Sequence, residues 1–312
     1  MMHDKLTFSL FELGEFFHSD EEARIWLEEQ RWPHGQRVCP YCGAVEHQYA
    51  QNRHGKPGYY ECGACQKVYT VRTGTVFERS HIGLRKWLFA IYYILTARKG
   101  VSSLQISKHL SITQANAWYM LQRIRTAMGV GNLVLSGIVE IDEAYIGGRE
   151  SNKHESKKLK EGRGVVGKTA VMGIKERDGK VVAEVVESAD KETAEGMIES
   201  YVSEDATVNT DESRIYNGVS KKRKHKKVNH SAKVFVDGMA STNGIESVWS
   251  VLKRMFYGTY HQFSKKHLQR YVDECTFRLN QGNCKTPVWD RVNSLLTRCF
   301  NKHTTYRMLV VA

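Results

Sequence analysis

The 312-residue chain has no apolar run that approaches the roughly 18 residues needed to span a bilayer. Its first residues, MMHDKLTFSLFELGEFF, are too acidic and too interrupted for a secretory signal peptide. These absences favour a soluble, cytoplasmic protein with no membrane partner. In that reducing compartment its seven cysteines are not expected to form a disulfide framework.

Acidic residues are missing from two long windows of the chain. The window from Arg79 to Val139 and the window between Glu212 and Asp237 each contain eight Lys or Arg and no acid. Their combined charge of +16 exceeds the +12 of the whole chain, so the remainder is net acidic. Segregated charge of this kind favours a polyanionic partner such as DNA. A flexible, solvated loop is the alternative for the basic run at 221–227.

Four cysteines have the spacing of a structural zinc site. Cys39, Cys42, Cys62 and Cys65 form C-x2-C-x19-C-x2-C, in which each CxxC makes a tight turn that presents two thiolates to one ion. Four such ligands close a Zn²⁺ tetrahedron without leaving a position for water. A redox dithiol fits two paired turns poorly. The other three cysteines lack this spacing and are expected to be ordinary buried or half-buried thiols.

Residues 79–130 are predicted to be helical, and part of this region resembles a helix-turn-helix. SSLQISKHL, a break at SIT, and QANAWYMLQRIRTAM provide the two helices. Helix pairs also occur in proteins that never bind DNA, but the adjacent zinc ribbon and the absence of acids favour DNA here. The candidate groove-facing residues are Gln114, Asn116, Tyr119, Gln122, Arg123 and Arg125.

From residue 136 onward the apolar pattern changes to that of strands. IVEIDEAYI, TAVMGIKER, KVVAEVVES and ATVNTD are predicted strands, with Asp-Gly at 178–179 as a hairpin turn. A helix is predicted before the fourth strand, and two more at 243–257 and 264–281. This β-β-β-α-β-α order predicts an α/β domain of the ribonuclease H-like type.

One motif match is rejected. Residues 162–169, GRGVVGKT, fit the P-loop pattern letter for letter. A nucleotide-binding P-loop lies between a buried strand and a helix. Here a polar basic segment precedes the match and a hairpin is predicted after it, so a flexible basic loop and no nucleotide cofactor are expected.

Three acids stand in settings that together suggest a catalytic metal site. Asp142 lies within a predicted strand, Asp211 follows a strand, and Glu246 opens an amphipathic helix. Such carboxylates can hold two Mg²⁺ ions for attack on a phosphodiester. Glu140 is expected on the same face as Asp142, with Glu143 pointing away and exposed or ion-paired. Each Asp alone could equally be a turn or capping acid.

Glu246 has a structural alternative. Asn243 could cap the helix, with Glu246 as its reciprocal partner. Against this, Lys253 lies seven residues after Glu246, which is about 700° of helix rotation, so the two side chains should share one edge within roughly 20°.

VEIDEAYIGGR, NTDES and above all residues 242–280 resemble the zinc-ribbon insertion-sequence transposases of bacteria and archaea. The resemblance extends over about residues 20–282 and implies a DDE-type, retroviral integrase-like catalytic domain. It implies that Asp142, Asp211 and Glu246 bind catalytic Mg²⁺ or Mn²⁺, with Lys253 as an accessory base and Asn243 as the alternative third position. The implied activity is metal-dependent DNA cleavage at the element's ends and strand transfer into target DNA by a homo-oligomer.

The predicted organisation is a helical cap (1–36), a zinc ribbon (37–78), a helical DNA-binding region (79–130), the ribonuclease H-like domain (135–285) and a tail (286–312). Alternatives are a catalytically inactive DNA-binding regulator and a structure-specific nuclease. The protein would be associated with the nucleoid when bound to DNA. The expected phosphate contacts are Lys221, Lys222, Arg223, Lys224, Lys226, Lys227, Arg123, Arg125, Arg254, Lys265, Lys266, His267 and Arg270.

Overall fold

The structure is a computed structural model that describes residues 8–53, 55–148, 150–159, 164–219, 223–228, 236–237, 240–281 and 286–310. The chain divides into two compact units, residues 1–128 with 284–312, and residues 129–283. Within the described ranges, no helix is both long and apolar enough to cross a membrane.

In chain order the elements are α1 (Leu10–Phe16), α2 (Asp20–Arg31), β1 (Gln48–Arg53), β2 (Lys56–Cys62), β3 (Val68–Tyr69), α3 (Leu84–Thr96), α4 (Ser103–Leu110), α5 (Gln114–Thr126), β4 (Ile138–Ile146), β5 (Thr169–Glu176), β6 (Val181–Val186), α6 (Lys191–Tyr201), β7 (Thr207–Thr210), β8 (Lys224–Lys227), β9 (Val236–Asp237), β10 (Ala240–Ser241), α7 (Asn243–Met255), α8 (Leu268–Gln281), α9 (Val288–Phe300) and α10 (Tyr306–Val310).

The first unit contains the ribbon and a set of packed helices. Strands β1, β2 and β3 form an antiparallel sheet. Helix α2 begins at Asp20 because the Ser19 hydroxyl accepts the N–H of Glu22. The stretch from residue 286, for which the sequence indicated no element, forms α9 and α10, and α9 contacts α2 and α3.

Helices α4 and α5 form a contacting pair joined by residues 111–113. Ser111 ends α4 in the left-handed region with φ 48°, and the Thr113 hydroxyl caps α5 by accepting the N–H of Asn116. Local sequence therefore sets the turn and the start of the second helix.

The burial of α5 corrects one prediction. Arg123 and Arg125 are only 3% and 1% exposed, so in this arrangement neither guanidinium faces a DNA groove. The C-terminal half of α5 lies inside the first unit, where Arg123 donates to the Glu78 carbonyl oxygen at 2.6 Å. Burial lowers the pKa of Arg123. Gln114 and Asn116, at the start of the helix, remain exposed.

The second unit is built on a five-stranded mixed sheet with the strand order β6-β5-β4-β7-β8. Strands β6, β5 and β4 are antiparallel neighbours, whereas β4, β7 and β8 run parallel. Tyr216 and α6 pack on one face of the sheet, and α7 and α8 pack on the other. The predicted element order is confirmed, with β8 as an additional edge strand, and the mixed α/β sheet is consistent with a ribonuclease H-like domain.

The hairpin between β5 and β6 turns at the predicted place. Asp178 has φ 57°, a conformation that Asp tolerates better than most residues, and Gly179 follows it. The start of β5 also bears on the P-loop match. Thr169 begins a strand, not the helix that phosphate binding requires, while residues 160–163 lie outside the described part of the chain.

Candidate active site

Strands β4 and β7 bring the first two predicted acids together. The parallel register pairs Ile138 with Thr207 and Glu140 with Asn209. Asp142 lies two residues beyond the last pair on β4, and Asp211 directly follows the end of β7, so both acids lie at the same end of this parallel pair. Neighbouring residues of parallel strands point to the same side of a sheet, and the charge of Asp211 contributes to the raised pKa of Asp142.

Asp142 is half-buried on the α7 face of the sheet. Its Oδ2 accepts a hydrogen bond from the indole N–H of Trp249 at 3.0 Å. Burial first, and then the neighbouring charge of Glu143, raise the pKa of Asp142 to about 7. A bound cation would relieve the cost of ionising this carboxyl group, and raised pKa values of this kind are common at functional sites.

Glu143 corrects a second prediction. It does lie on the opposite face of β4, but it is half-buried, and its Oε2 accepts the Tyr216 hydroxyl at 2.8 Å. Burial and the nearby Asp211 raise the pKa of Glu143. No local pattern identifies this contact, because Tyr216 is 73 residues away along the chain.

Asp211 is held by a local turn immediately after β7. Its Oδ1 accepts the N–H of Ser213 at 2.9 Å, which is the Asx-turn geometry that the sequence left open as an alternative role. This contact leaves the remainder of the carboxylate able to accept another partner, since an ionised carboxylate offers about four acceptor sites.

The N-terminus of α7 is fixed by an acid from the sheet. Glu140, 3% exposed, accepts the N–H of Ile245 through Oε2 at 3.0 Å. Its Oε1 lies 3.3 Å from the Arg177 guanidinium. Gly244 permits this approach, because a Cβ there would lie 2.6 Å from the Glu140 carboxylate.

The alternative that Asn243 and Glu246 form a capping box is contradicted. Thr242 is the N-cap residue, without a side-chain cap bond, and Asn243 is already the first helical residue. The N–H groups of the first turn are instead satisfied from outside the helix, by Glu140 and by the Ser241 hydroxyl. The spacing of Asn243 and Glu246 fits a capping box, but Glu140, a residue distant in sequence, supplies the acceptor at this helix end instead.

Glu246, Asn243 and Lys253 all lie exposed on α7. Glu246 precedes Trp249 by three residues, so the two are neighbours on the helix surface, and Trp249 contacts Asp142. Glu246 is thus linked to Asp142 through one intermediate side chain, that of Trp249. Among the described residues, its carboxylate is not gathered with Asp142 and Asp211 into one tight ligand group.

The predicted phosphate contacts fall into several groups. Lys224, Lys226 and Lys227 are exposed on β8, so the solvated-loop alternative is wrong for 224–227. Arg223 is half-buried and donates to the Ser203 carbonyl oxygen. Lys221 and Lys222 lie outside the described residues. Arg254, Lys265 and Lys266 are exposed, whereas His267 and Arg270 are half-buried.

The four ribbon cysteines form a metal-ligand cluster. Among the residues that the structure describes, theirs is the one group of three or more potential ligands that could hold an ion, with all Sγ atoms within 4.8 Å of one another. The Cys39–Cys65 and Cys42–Cys62 Sγ distances are 3.7 Å and 3.6 Å. A tetrahedron with Zn–S bonds of about 2.3 Å has edges of ~3.8 Å, so the cluster fits structural Zn²⁺.

Backbone donors also favour a thiolate in this cluster. N–H groups led by that of Cys65 lower the pKa of Cys62 to about 6, while burial and the neighbouring thiols raise the pKa of Cys42 to about 12. We take the direction at Cys62, because the thiolate is the form that binds metal. Of the other cysteines, Cys275 and Cys299 are buried as expected, at 2% and 0% exposure. Cys284 lies outside the described residues.

The mixed sheet and the four-cysteine cluster define an α/β protein with a zinc-ribbon module. Residues 134–280 match the ISXO2-like transposase domain, and residues 18–68 match the transposase zinc-ribbon domain. Together the two matches extend over well more than half of the chain. The chain therefore belongs to the zinc-ribbon insertion-sequence transposases with a DDE domain.

Two curated relatives are similar to parts of the chain. An uncharacterized protein in transposable element ISH50 of Halobacterium salinarum is 32% identical over 133 residues, which are 42% of this chain and 43% of that protein. An uncharacterized transposase-like protein of Haemophilus influenzae is 29% identical over 110 residues, 35% of this chain and 88% of that protein. The match thus spans less than half the length of the first relative.

One solved structure is also similar, at a low level. It is the simian T-cell lymphotropic virus intasome in complex with the PP2A regulatory subunit B56 gamma, with a TM-score of 0.31 and 12% identity. The alignment covers 65% of this chain and 74% of that chain.

Replacing Asp142 with Asn should stabilise the metal-free protein at pH 8. The pKa of Asp142 in the folded protein, about 7, lies above its ordinary value of 3.8. The wild-type fold therefore loses stability as the pH rises from about 4 to 7, and above pH 7 it carries the full cost of a buried negative charge. The cost is about 1.4 kcal/mol for each pH unit between the two pKa values, or a few kcal/mol at most. Denaturant unfolding of both zinc-loaded proteins without added Mg²⁺ or Mn²⁺, at pH 8 and at pH 5, measures this cost.

The Asn side chain can still accept the indole N–H, so packing is preserved. The stability advantage of the Asp142→Asn variant over the wild type should be smaller at pH 5. It should vanish below pH 4, where the Asp142 carboxyl group is neutral in the folded and the unfolded wild type. Adding Mg²⁺ at pH 8 should raise the stability of the wild type alone. A variant that is less stable than the wild type at pH 8 would contradict the electrostatic description of Asp142.

Proposed function

We propose that this protein is an active DNA transposase that cleaves DNA at the ends of its insertion sequence and joins those ends to target DNA. The observation that carries the proposal is the position of Asp142 on β4 and of Asp211 directly after the parallel neighbour β7, with α7 docked on Asp142 through Trp249. These residues lie inside the range that matches an ISXO2-like transposase domain.

The donor set suits Mg²⁺ or Mn²⁺, which prefer carboxylate oxygens. Asp142 and Asp211 supply two carboxylates, and the raised pKa of Asp142 indicates a negative charge that lacks full compensation. Bound there, divalent ions would activate the attacking oxygen and stabilise the leaving oxygen of a phosphodiester. The protein's part is to hold the acids in place and to orient the DNA.

Glu246 is the proposed third ligand, and Asn243 is the alternative. They are three positions apart in the first turn of α7, so both lie on the same side of the helix. Glu246 is favoured because it adds the negative charge that a dication requires and because it neighbours Trp249, which contacts Asp142. Lys253, exposed two turns later, is proposed to contact phosphate and to act as the accessory base.

DNA is the proposed partner on two surfaces. Exposed Lys224, Lys226 and Lys227 lie on β8, the parallel neighbour of β7, and Asp211 directly follows β7. Lys253, Arg254, Lys265 and Lys266 are also exposed, and they are proposed as the second phosphate-contacting surface. Neutralised phosphates release counterions, so affinity should fall steeply with salt.

Helices α4 and α5 are proposed as a helix-turn-helix that reads the element's ends. The exposed N-terminal residues Gln114 and Asn116 would face the major groove, in place of the buried Arg123 and Arg125. Because two ends must be cut and joined together, a homo-oligomer with paired active sites is proposed.

The test uses the full chain, Mg²⁺ and linear DNA that carries both ends of its own insertion sequence. Labelled 3′ ends and a plasmid target report cleavage and joining separately. Cleavage followed by joining is expected. Binding without cleavage in Mg²⁺ and Mn²⁺ would favour the DNA-binding regulator, and cleavage without joining would favour a structure-specific nuclease.

A further inference from the structure

Trp249 is the one side chain of α7 for which a hydrogen bond to a predicted metal ligand is described. Its indole N–H donates to Oδ2 of Asp142 at 3.0 Å, although the two residues are 107 positions apart. Trp249 is only 4% exposed, so the donor side of this bond is shielded from water. Trp249 is one of the buried apolar residues of the amphipathic helix α7, which gives no reason for the polar N–H of its indole.

The sheet is shaped to receive this indole. Gly173 on β5 is the pairing partner of Asp142, and a Cβ at Gly173 would lie 2.6 Å from the Trp249 ring. Glycine therefore leaves the space in which the ring lies directly over the strand. Four residues before Trp249, the Ile245 N–H is held by Glu140, so α7 is fixed to β4 at two points one turn apart.

We propose that Trp249 is a positioning residue that holds Asp142 as a one-oxygen metal ligand and thereby favours Mg²⁺ and Mn²⁺ over Ca²⁺. This inference rests on the proposed metal-dependent function. The indole N–H takes one of the acceptor sites of Oδ2 and thereby disfavours chelation of one ion by both carboxylate oxygens.

Coordination chemistry connects this geometry to ion choice. Mg²⁺ requires near-octahedral geometry at about 2.0–2.1 Å, while Ca²⁺ accepts six to eight oxygens at about 2.3–2.6 Å and often takes carboxylates through both oxygens. A carboxylate restricted to one oxygen suits the smaller ion. Loss of a residue that orients a metal ligand typically costs about 10-fold to 100-fold in metal affinity.

The test compares Trp249→Phe with Leu252→Val in the full, zinc-loaded chain. Both changes remove buried apolar volume from α7, since Leu252 is 1% exposed, but only the first removes the N–H. Mn²⁺ binding is followed by electron paramagnetic resonance and Ca²⁺ binding by displacement of Mn²⁺. In Trp249→Phe the Mn²⁺ dissociation constant should rise about 10-fold or more, with Ca²⁺ binding unchanged or tighter.

Leu252→Val should lower stability without changing the ratio of the two dissociation constants. Equal ratios in the wild type and Trp249→Phe, or the same shift in Leu252→Val, would overturn the proposal. Benzothienylalanine at position 249 keeps the ring shape without the N–H. It should reproduce the shift even if the Phe variant does not fold, and a wild-type ratio there would also overturn the proposal.

The same measurements separate this inference from the proposed function. If the wild type binds neither ion in the second unit, the metal-dependent function itself fails. If the wild type binds Mn²⁺ and cleaves DNA while the benzothienylalanine variant keeps the wild-type ion preference, the function stands and the role of Trp249 is wrong.

Discussion

Replacing Asp142 or Asp211 with Asn should reduce both DNA cleavage and joining by about 10³-fold or more. Each substitution keeps the size and hydrogen-bonding shape of the side chain but removes a charge that a dication needs. The amide oxygen introduced by Asp142→Asn can still accept the Trp249 N–H, and the one introduced by Asp211→Asn can still accept the Ser213 N–H, so the fold should survive. Single-turnover cleavage of end-bearing DNA in Mg²⁺ measures the loss.

Asp205→Asn is the matched control, because Asp205 is an exposed acid in the turn just before β7. Its cleavage rate should equal that of the wild type. Retention of DNA binding by the Asp142→Asn and Asp211→Asn variants would show that the loss is chemical. Undiminished cleavage in either variant would remove that residue from the catalytic site.

The same assay decides the third position on α7. Glu246→Gln should lose cleavage to a similar degree, whereas Asn243→Ala should lose much less if Glu246 is the ligand. Both residues are exposed in the first turn of α7. The reverse order of effects would assign the role to Asn243.

The second large effect is expected at the ribbon, where Cys62→Ser should abolish tight zinc binding and unfold β1–β3. Structural Zn²⁺ contributes about 10–16 kcal/mol in small metal-dependent folds, far more than so short a segment gains from its own core. Zinc content should fall from one ion per chain to none in the presence of a competing chelator. Amide hydrogen exchange of β1–β3 should become fast.

Cys275→Ala provides the control, because Cys275 is a buried thiol in the second unit and not part of the cluster. It should cost stability there while zinc content stays at one per chain. Slow exchange of the ribbon amides in zinc-free Cys62→Ser protein would contradict a metal-dependent ribbon.

Much of the second unit could be predicted because its signals are local. Strand β4 begins and ends where the apolar pattern of IVEIDEAYI does, and the hairpin turns at Asp178-Gly179. Alternation along a strand and φ-tolerant turn residues depend on a few neighbouring positions. The zinc site was predictable for the same reason, since two CxxC turns fix their own geometry.

Burial of charge was not predictable in the same way. The basic character of α5 suggested a DNA-facing helix, but a sequence does not show which side of a helix other elements will cover. Arg123 and Arg125 lie inside because the first unit packs around the C-terminal half of α5. Burying a charged guanidinium costs free energy, which for Arg123 is offset by the Glu78 carbonyl oxygen and the Trp87 ring. The composition of the chain does not reveal these partners.

The sequence by itself determined the ribbon, the order of strands and helices, and the identity of the candidate acids, because each depends on short-range spacing. The tertiary structure decided which groups meet. Trp249 binds Asp142 across 107 residues, and Glu140 binds the N-terminus of α7 across 105. Such contacts depend on the register of the sheet and on the absence of a Cβ atom at Gly173 and Gly244. No local sequence pattern encodes which distant side chain will fill the space that a glycine leaves.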